Sequence, residues 1–487
     1  MAQRSSRRSF LKTSTLAGAG FWVAARPTFA QSRSPNEKLN AAAVGAGGKG
    51  GGDIRSMADL GCNVVALCDV DDNNAQDTYN KFPDAKRFHD FREMFDKMHK
   101  DIDVVTVSTP DHMHAVASMM AMKLGKHVYT QKPLTHDVYE ARMLTEEAKK
   151  GKVVTQMGNQ GSAADGLRQA VEVVQSGAIG LPREVHVWTN RAGTVWPQGA
   201  RGLLGHQGIR AALTGKGEPA TPPSHVAWAL WLGTAPHRPY DPCYAPFRWR
   251  GWLDYGTGAL GDMACHTANM AFRACNLGYP TTIEAETSET NDQTYPLWSV
   301  IRYEFPARQQ QVPGRGTVEL PPLKWTWYDG GNDKPAWVGK KIVELAQGMN
   351  VPLSGSLIIG DKGTLYSPDD YGSEYHLLPK ADFEGYKPPT PWVPRVNGQH
   401  DREFIQAIKD NKPEACYSNF TIAGPLTETV VLGCVALRAG RKIEWDGPNM
   451  KITNVGEIGD KKKKKKEEDA VDPNTFLRRE YRKGYEL

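Results

Sequence analysis

Four short apolar runs, each ending in a turn and each followed by a helix-like stretch, constrain this chain most. "LNAAAV" (39–44), "NVVALCDVD" (63–71), "DVVTVSTPDH" (103–112) and "HVYTQKPL" (127–134) are separated by segments such as "AVASMMAMKLGK" and "DVYEARMLTEEAKKG". Near-continuous apolar runs suit strands buried on both faces. Their alternation with helices predicts a parallel sheet wrapped on both sides, a doubly wound domain over 38–160. With 487 residues the chain is too long for that domain alone. After residue 160 the texture changes. Alternating "PREVHVWTNR", "LWSVIRYEF" and "GSLIIGDKGTLYS" predict an α+β domain over 161–450, with a large, mainly antiparallel open sheet. Residues 451–487, with lysines 461–466, read as a charged linker and tail.

The first apolar run ends in Gly45-Ala46-Gly47-Gly48-Lys49-Gly50, a G-x-G-x-x-G that opens the next helix. Glycines there permit a tight turn, close approach of backbone to a pyrophosphate, and helix–strand contact. Helix N-terminal amides then face the phosphates. The second run ends in Asp69, 24 residues after Gly45, where an acid accepts hydrogen bonds from the adenosine ribose. Asp69 would repel a 2′-phosphate, and Val70 and Asp71 offer no arginine, so NAD is expected over NADP. The third run leads into Thr109, Pro110, Asp111 and His114, at the end of a strand where doubly wound sheets bind ligands. Asp111 is expected to cap a helix and His114 to pack near the nicotinamide end, in preference to holding a metal. The fourth run leads into Gln131, a further expected cofactor neighbour, and Lys132. Pro133 biases Lys132 towards an extended backbone and aims its ammonium into the cleft.

These motifs resemble the Gfo/Idh/MocA oxidoreductase family: "AVGAGGKG", "ALCDVD", "STPDHMHA", "QKPLTH" and "GALGDMACHTANMAF". The likeness covers nearly all of residues 38–450. It is strongest to an exported subgroup carrying "WYDGG" (327–331) and "LTETVVLG" (426–433). The resemblance implies a Rossmann domain, a second domain whose open sheet mediates homo-oligomers, and hydride chemistry on sugars and cyclitols with NAD(P). The lysine of the family's E-K-P motif matches Lys132. Gln131 replaces the glutamate, removing a negative charge that is expected to make Lys132 easier to deprotonate. Asp262 and His266 share one helix face at i, i+4 and match the family's cleft-lining D-x-x-x-H, with Asn269 where many members carry an acid. His266 is then the expected base for a hydroxyl proton, Asp262 an orienting carboxylate, and Lys132 the group that stabilises the reacting oxygen. Asn159, Gln160 and Arg191 are expected to contact substrate, and Trp188, Trp196, Trp252 and Trp327 suit stacking on sugar faces or core packing.

The formal charge of +5 comes from the first 30 residues, which carry Arg4, Arg7, Arg8, Lys12 and Arg26 and no acid. The balanced remainder argues against nucleic acid or an anionic membrane as the main partner. "SRRSFLK" (6–12), a mild apolar stretch and a small residue at Ala30 read as a twin-arginine export signal over 1–30, placing the mature protein in the periplasm or otherwise outside the cytoplasm. Seven cysteines without C-x-x-C read mostly as core residues. Together these features predict an exported NAD-dependent oxidoreductase of a sugar, cyclitol or glycoside hydroxyl, whose cofactor travels bound and is recycled in place. One alternative is a redox-neutral glycosidase or lyase acting through a transient 3-keto sugar. Another is a non-catalytic sugar-binding protein. A third is a metal-assisted enzyme using Asp262, His266 and another histidine such as His186.

Overall fold

Strands β1 (Asn40–Val44), β2 (Asn63–Cys68), β3 (Lys86–Phe88), β4 (Val104–Val107), β5 (His127–Thr130) and β6 (Thr155–Met157) form one sheet in the order β3-β2-β1-β4-β5-β6. Every pairing in it is parallel. The chain reverses direction across the sheet between β1 and β4, which opens a crevice at the carboxyl ends of the strands. The computed structural model describes residues 38–194, 198–199, 220–455 and 471–487. The expected export signal and Trp196 lie outside them. Alanines at 41, 42 and 43 keep β1 thin and wholly buried. The helix Gly48–Asp59 therefore crosses the sheet closely, and a Cβ on Gly50 would sit 1.8 Å from the Gly45 carbonyl oxygen.

The second sheet is mixed. It contains β7 (Pro182–Trp188), β8 (Thr282–Thr287), β9 (Ser299–Phe305), β12 (Leu323–Tyr328), β13 (Gly355–Gly360), β14 (Thr364–Ser367), β15 (His376–Leu378), β16 (Ile443–Asp446) and β17 (Lys451–Ile452). Their order is β15-β14-β13-β7-β12-β9-β8-β16-β17, with β7 and β12 parallel and the other pairs antiparallel. A separate ribbon, β10 (Arg308–Val312) with β11 (Gly316–Leu320), flanks it. The expected strands thus form, but "GSLIIGDKGTLYS" divides at Asp361–Gly363 into the antiparallel pair β13 and β14, and two prolines separate β11 from β12.

One helix joins the two layers. Phe420–Ala439 is 20 residues long, and among the described residues it alone is long and apolar enough to cross a membrane. Its surroundings explain the apolarity: it packs on the helix Val138–Lys149 beside the parallel sheet and on β8 of the mixed sheet. Gly424 and Gly433 permit the approach, since a Cβ there would lie 1.9 Å from Thr145 Oγ1 and 2.2 Å from the Tyr303 hydroxyl. The helix ends where Gly440 turns left-handed at φ 61°. Arg142 donates to both Glu428 oxygens, at 2.9 and 2.7 Å, tying the two helices by a buried ion pair.

The segment expected as a tail is docked from Pro473 onward. Leu477 joins the core, and Arg479 donates to Glu140 Oε1 at 2.6 Å. Its charged composition suggested solvent exposure. Its partner Glu140 lies 339 residues earlier, a pairing that composition does not reveal.

Removing one member of a buried ion pair leaves a charge without a partner, which costs about 3–5 kcal/mol. Arg142→Met and Glu428→Leu should each destabilise the fold by about that much in urea unfolding, and the double variant should lose less than either single change. Additive losses would contradict this.

Candidate functional site

A cavity of about 520 Å³ opens at the carboxyl ends of β1, β2, β4 and β5, within the usual range for ligand sites. The glycine loop forms its floor. Gly45 has φ +83° and a Cβ there would lie 2.7 Å from the Ser108 backbone; at Gly47 it would lie 2.1 Å from Asn74. The loop is braced from two sides. Asp69 Oδ2 accepts from the amides of Ala46 and Gly47, both at 2.8 Å, and Oδ1 accepts from Asp71 at 2.9 Å. Burial pushes the Asp69 carboxyl up, against these hydrogen bonds. Behind the loop, buried Asp53 pairs with Lys49 and accepts from Ser108 Oγ at 2.8 Å and Gln131 Nε2 at 2.9 Å. Asp53 thus connects the ends of β1, β4 and β5. Sequence reasoning missed it, because an acid in the first turns of a helix has many ordinary explanations.

Thr109 and Pro110 line the wall after β4, and the Thr109 hydroxyl is buried without a partner. His114 braces the loops after β4 and β5, with Nδ1 2.7 Å from the Pro133 carbonyl and Nε2 2.8 Å from that of Thr109. Burial pushes its pKa down to about 4, against these two hydrogen bonds. Asp111 does not cap its helix: Pro110 holds the N-cap position, and Asp111 Oδ2 instead accepts from Thr257 Oγ1 at 2.7 Å. Burial pushes Asp111 up to about 7, against that hydrogen bond and the charge of Arg250.

At the other end of the cavity Lys132 Nζ donates to Asp262 Oδ1 at 2.8 Å and to the Asp262 carbonyl at 2.9 Å. Arg250 Nε donates to the same carboxylate oxygen at 3.1 Å. Burial opposes ionisation of Asp262, but Lys132 and Arg250 outweigh it and hold the carboxyl below its ordinary range. Gln131 lines the cavity as well. Its amide turns away to Asp53, and the carboxylate beside Lys132 comes from the second domain. His266 sits one turn after Asp262 and lines the cavity, with Tyr371 edge-on at 5.0 Å. Burial, followed by the charge of Lys132, holds this imidazole well below its ordinary range, and its Nδ1 has no hydrogen-bond partner.

The cavity also takes in Gln160 and Arg191, the latter paired with Asp370 at 3.3 Å. Asn159 does not line it. Its Nδ2 donates to the Cys265 carbonyl at 3.1 Å and its Oδ1 accepts from Ser418, so it supports the helix Gly258–Thr267 from below. Trp188, Trp252 and Trp327 are core residues. Trp231 and Trp249 reach the cavity instead, with Arg250. The Gly/Pro/Trp-rich composition marked their region, but its irregular spacing gave no face to assign. His186 is on β7, 3.0 Å from the Tyr328 hydroxyl and away from Asp262, so the three proposed metal ligands are not assembled.

The glycine cradle and the buried, unpartnered Thr109 hydroxyl fit a dinucleotide. Residues 39–159 match a family model described as an oxidoreductase family, NAD-binding Rossmann fold, and residues 165–312 match its C-terminal alpha/beta domain. Curated relatives include an inositol 2-dehydrogenase of Salmonella typhimurium, 32% identical over 161 residues, covering 32% of this chain and 47% of that one. A glycosyl hydrolase family 109 protein of Solibacter usitatus is 32% identical over 152 residues, covering 28% and 35%. The chain therefore spans less than half the length of these relatives. Among solved structures, the WlbA dehydrogenase from Bordetella pertussis, in complex with NADH and UDP-GlcNAcA, superposes with a TM-score of 0.54 at 14% identity, covering 84% of this chain and 99% of that one. A levoglucosan dehydrogenase in complex with NADH and L-sorbose gives 0.51 at 15%, covering 84% and 99%. At such identities these two likenesses show the fold.

An acid whose folded pKa is raised costs nothing below its unfolded pKa. The cost grows as pH rises from about 4 to about 7 and then levels off. Asp111→Asn keeps an acceptor for Thr257 and removes the cost. Its stability relative to wild type should improve by roughly 1–4 kcal/mol between pH 4 and pH 8 in chemical unfolding. A pH-independent difference would refute this.

Proposed function

The chain belongs to the Gfo/Idh/MocA oxidoreductase family, and on that premise we propose that it transfers hydride to or from a hydroxyl-bearing carbon of a sugar, cyclitol or glycoside. The observation that carries this reading is the group Lys132, Asp262 and His266 on the wall of the cavity floored by the glycine loop. NAD, when bound, supplies the two-electron hydride partner. His266, neutral and with a nitrogen free of hydrogen bonds, accepts the hydroxyl proton as the carbon is oxidised. Lys132 donates to the reacting oxygen and stabilises its negative charge. Asp262 stays ionised, keeps that ammonium in place and shares its charge with Arg250. Trp231 and Trp249 offer aromatic surface to a sugar ring. Inositol and levoglucosan, named for the relatives, are polyhydroxylated rings of this class.

A second reading, redox-neutral glycoside cleavage through a transient ketone, is favoured by one feature. Asp111, pushed up to about 7 at the cavity wall, is an acid able to hold a proton for a departing oxygen near neutral pH. Release of sugar from a glycoside without net NADH would select this reading. The proposal also includes export through the twin-arginine signal and a cofactor that stays bound during turnover. Its support is Arg7-Arg8 and the stretch that follows. Cell fractionation, with nucleotide analysis of the purified protein, tests it; cytoplasmic protein with an empty site would overturn it.

Lys132→Met and His266→Asn should each lower kcat/KM by about 10²–10⁴ on an oxidisable polyol, with NADH affinity nearly unchanged. Undiminished turnover in either variant would refute the assignment. A wild type that binds sugar but turns over no member of a sugar panel would point to a non-catalytic protein.

A further inference from the structure

The proposed chemistry makes no use of the segment 471–487, yet the protein holds it firmly. Arg479 donates to Glu140 Oε1 at 2.6 Å and to the His112 carbonyl at 3.3 Å, and the Tyr481 hydroxyl donates to the same Glu140 oxygen at 2.6 Å. Arg482 donates to the Ala229 carbonyl at 3.0 Å. Beyond these anchors the Gly484 carbonyl accepts from Arg92 at 2.7 Å, and the Arg92 guanidinium lies 4.3 Å from the centre of the Tyr485 ring. Tyr485 is only 8% exposed and lines the cavity with Asp69, Asp90 and Phe91.

The sheet order gives Tyr485 its place. Asp90 and Phe91 follow β3, while Lys132 follows β5, four strands along in the order β3-β2-β1-β4-β5. At about 4.8 Å per strand this is roughly 19 Å from the reacting centre. The Asp69 amide donates to the Phe88 carbonyl at 3.0 Å, so Tyr485 shares the end of the cavity where an acid after β2 meets an adenosine ribose. A second segment closes over the same end: Ala227 donates to the Val70 carbonyl at 2.8 Å, and His225 Nδ1 lies 2.9 Å from Asp71 Oδ1. Arg482 ties the two segments together through Ala229.

We propose that Tyr485 is a cofactor-binding residue for the adenosine half of the site, and that the segment 471–487 is a strap that slows release of the dinucleotide. This inference rests on the NAD reading above and adds to it a structural reason for a cofactor that stays bound. The strap carries the cofactor's slow dissociation, so its removal acts on the off-rate more than on the on-rate.

The test is NADH binding to the purified protein, by fluorescence titration and stopped-flow displacement, with no substrate present. Tyr485→Ala, and a chain ending at Lys483 that keeps Arg479 and Tyr481, should each weaken NADH about tenfold, with the loss in the off-rate. Tyr485→Phe should stay close to wild type. Circular dichroism and urea unfolding establish that the variants fold. Folded variants with unchanged affinity and off-rate would overturn the strap and leave the dehydrogenase reading standing. Variants that bind NADH more tightly would also overturn it, since Tyr485 would then obstruct the site. A wild type that binds no NADH would overturn both.

Discussion

The ion pair between Lys132 and Asp262 is the contact on which the site depends. Lys132 belongs to the end of β5 in the parallel sheet, and Asp262 to a helix of the second layer, 130 residues later. Two hydrogen bonds at 2.8 and 2.9 Å fix the ammonium to that helix, through the side chain and the backbone carbonyl of Asp262. Arg250 shares the carboxylate. A buried carboxylate between two cations stays charged, while burial, followed by the charge of Lys132, keeps the neighbouring His266 neutral. The charge distribution of the site therefore exists only while the two layers remain in register.

The scaffold keeps that register by sharing elements rather than by docking two separate bodies. Phe420–Ala439 touches both sheets, and the apolar core runs from Ala42 and Val105 on one side to Tyr303 and Trp325 on the other. Its small residues at contact points, Gly424 and Gly433, let backbones approach, and Arg142 with Glu428 fixes its position along the axis. Asn159 contributes from beneath by holding the Cys265 carbonyl next to His266. A residue expected at the substrate thus acts on the support of the helix that carries the proposed base.

Much of the first sheet was legible in the chain because each of its requirements is local. A strand buried on both faces needs a continuous apolar run, and a loop with φ near +83° pressed on Ser108 needs glycine. The D-x-x-x-H pair was legible through its match to the family's motif, and i, i+4 spacing puts both side chains on one helix face. Arg250, Trp231, Trp249 and Tyr371 were not, because they come from single helical turns and loops too short to show a period. The docking of Arg479 on Glu140 was hidden for a different reason: it looks like solvated charge until its distant acid is known.

By itself the sequence determined the architecture, the glycine cradle and the identity of Lys132, Asp262 and His266 as candidates. The architecture and the cradle follow from steric and periodic rules acting over a few residues, and the three candidates from their match to the family's motifs. Only the tertiary structure decided which groups face one another. It set Asp262 rather than residue 131 against Lys132, turned Gln131 to Asp53, gave Asp111 to Thr257 and brought Tyr485 to the cavity. Burial and pairing across tens to hundreds of residues set these partners and their charges, and no local rule encodes either.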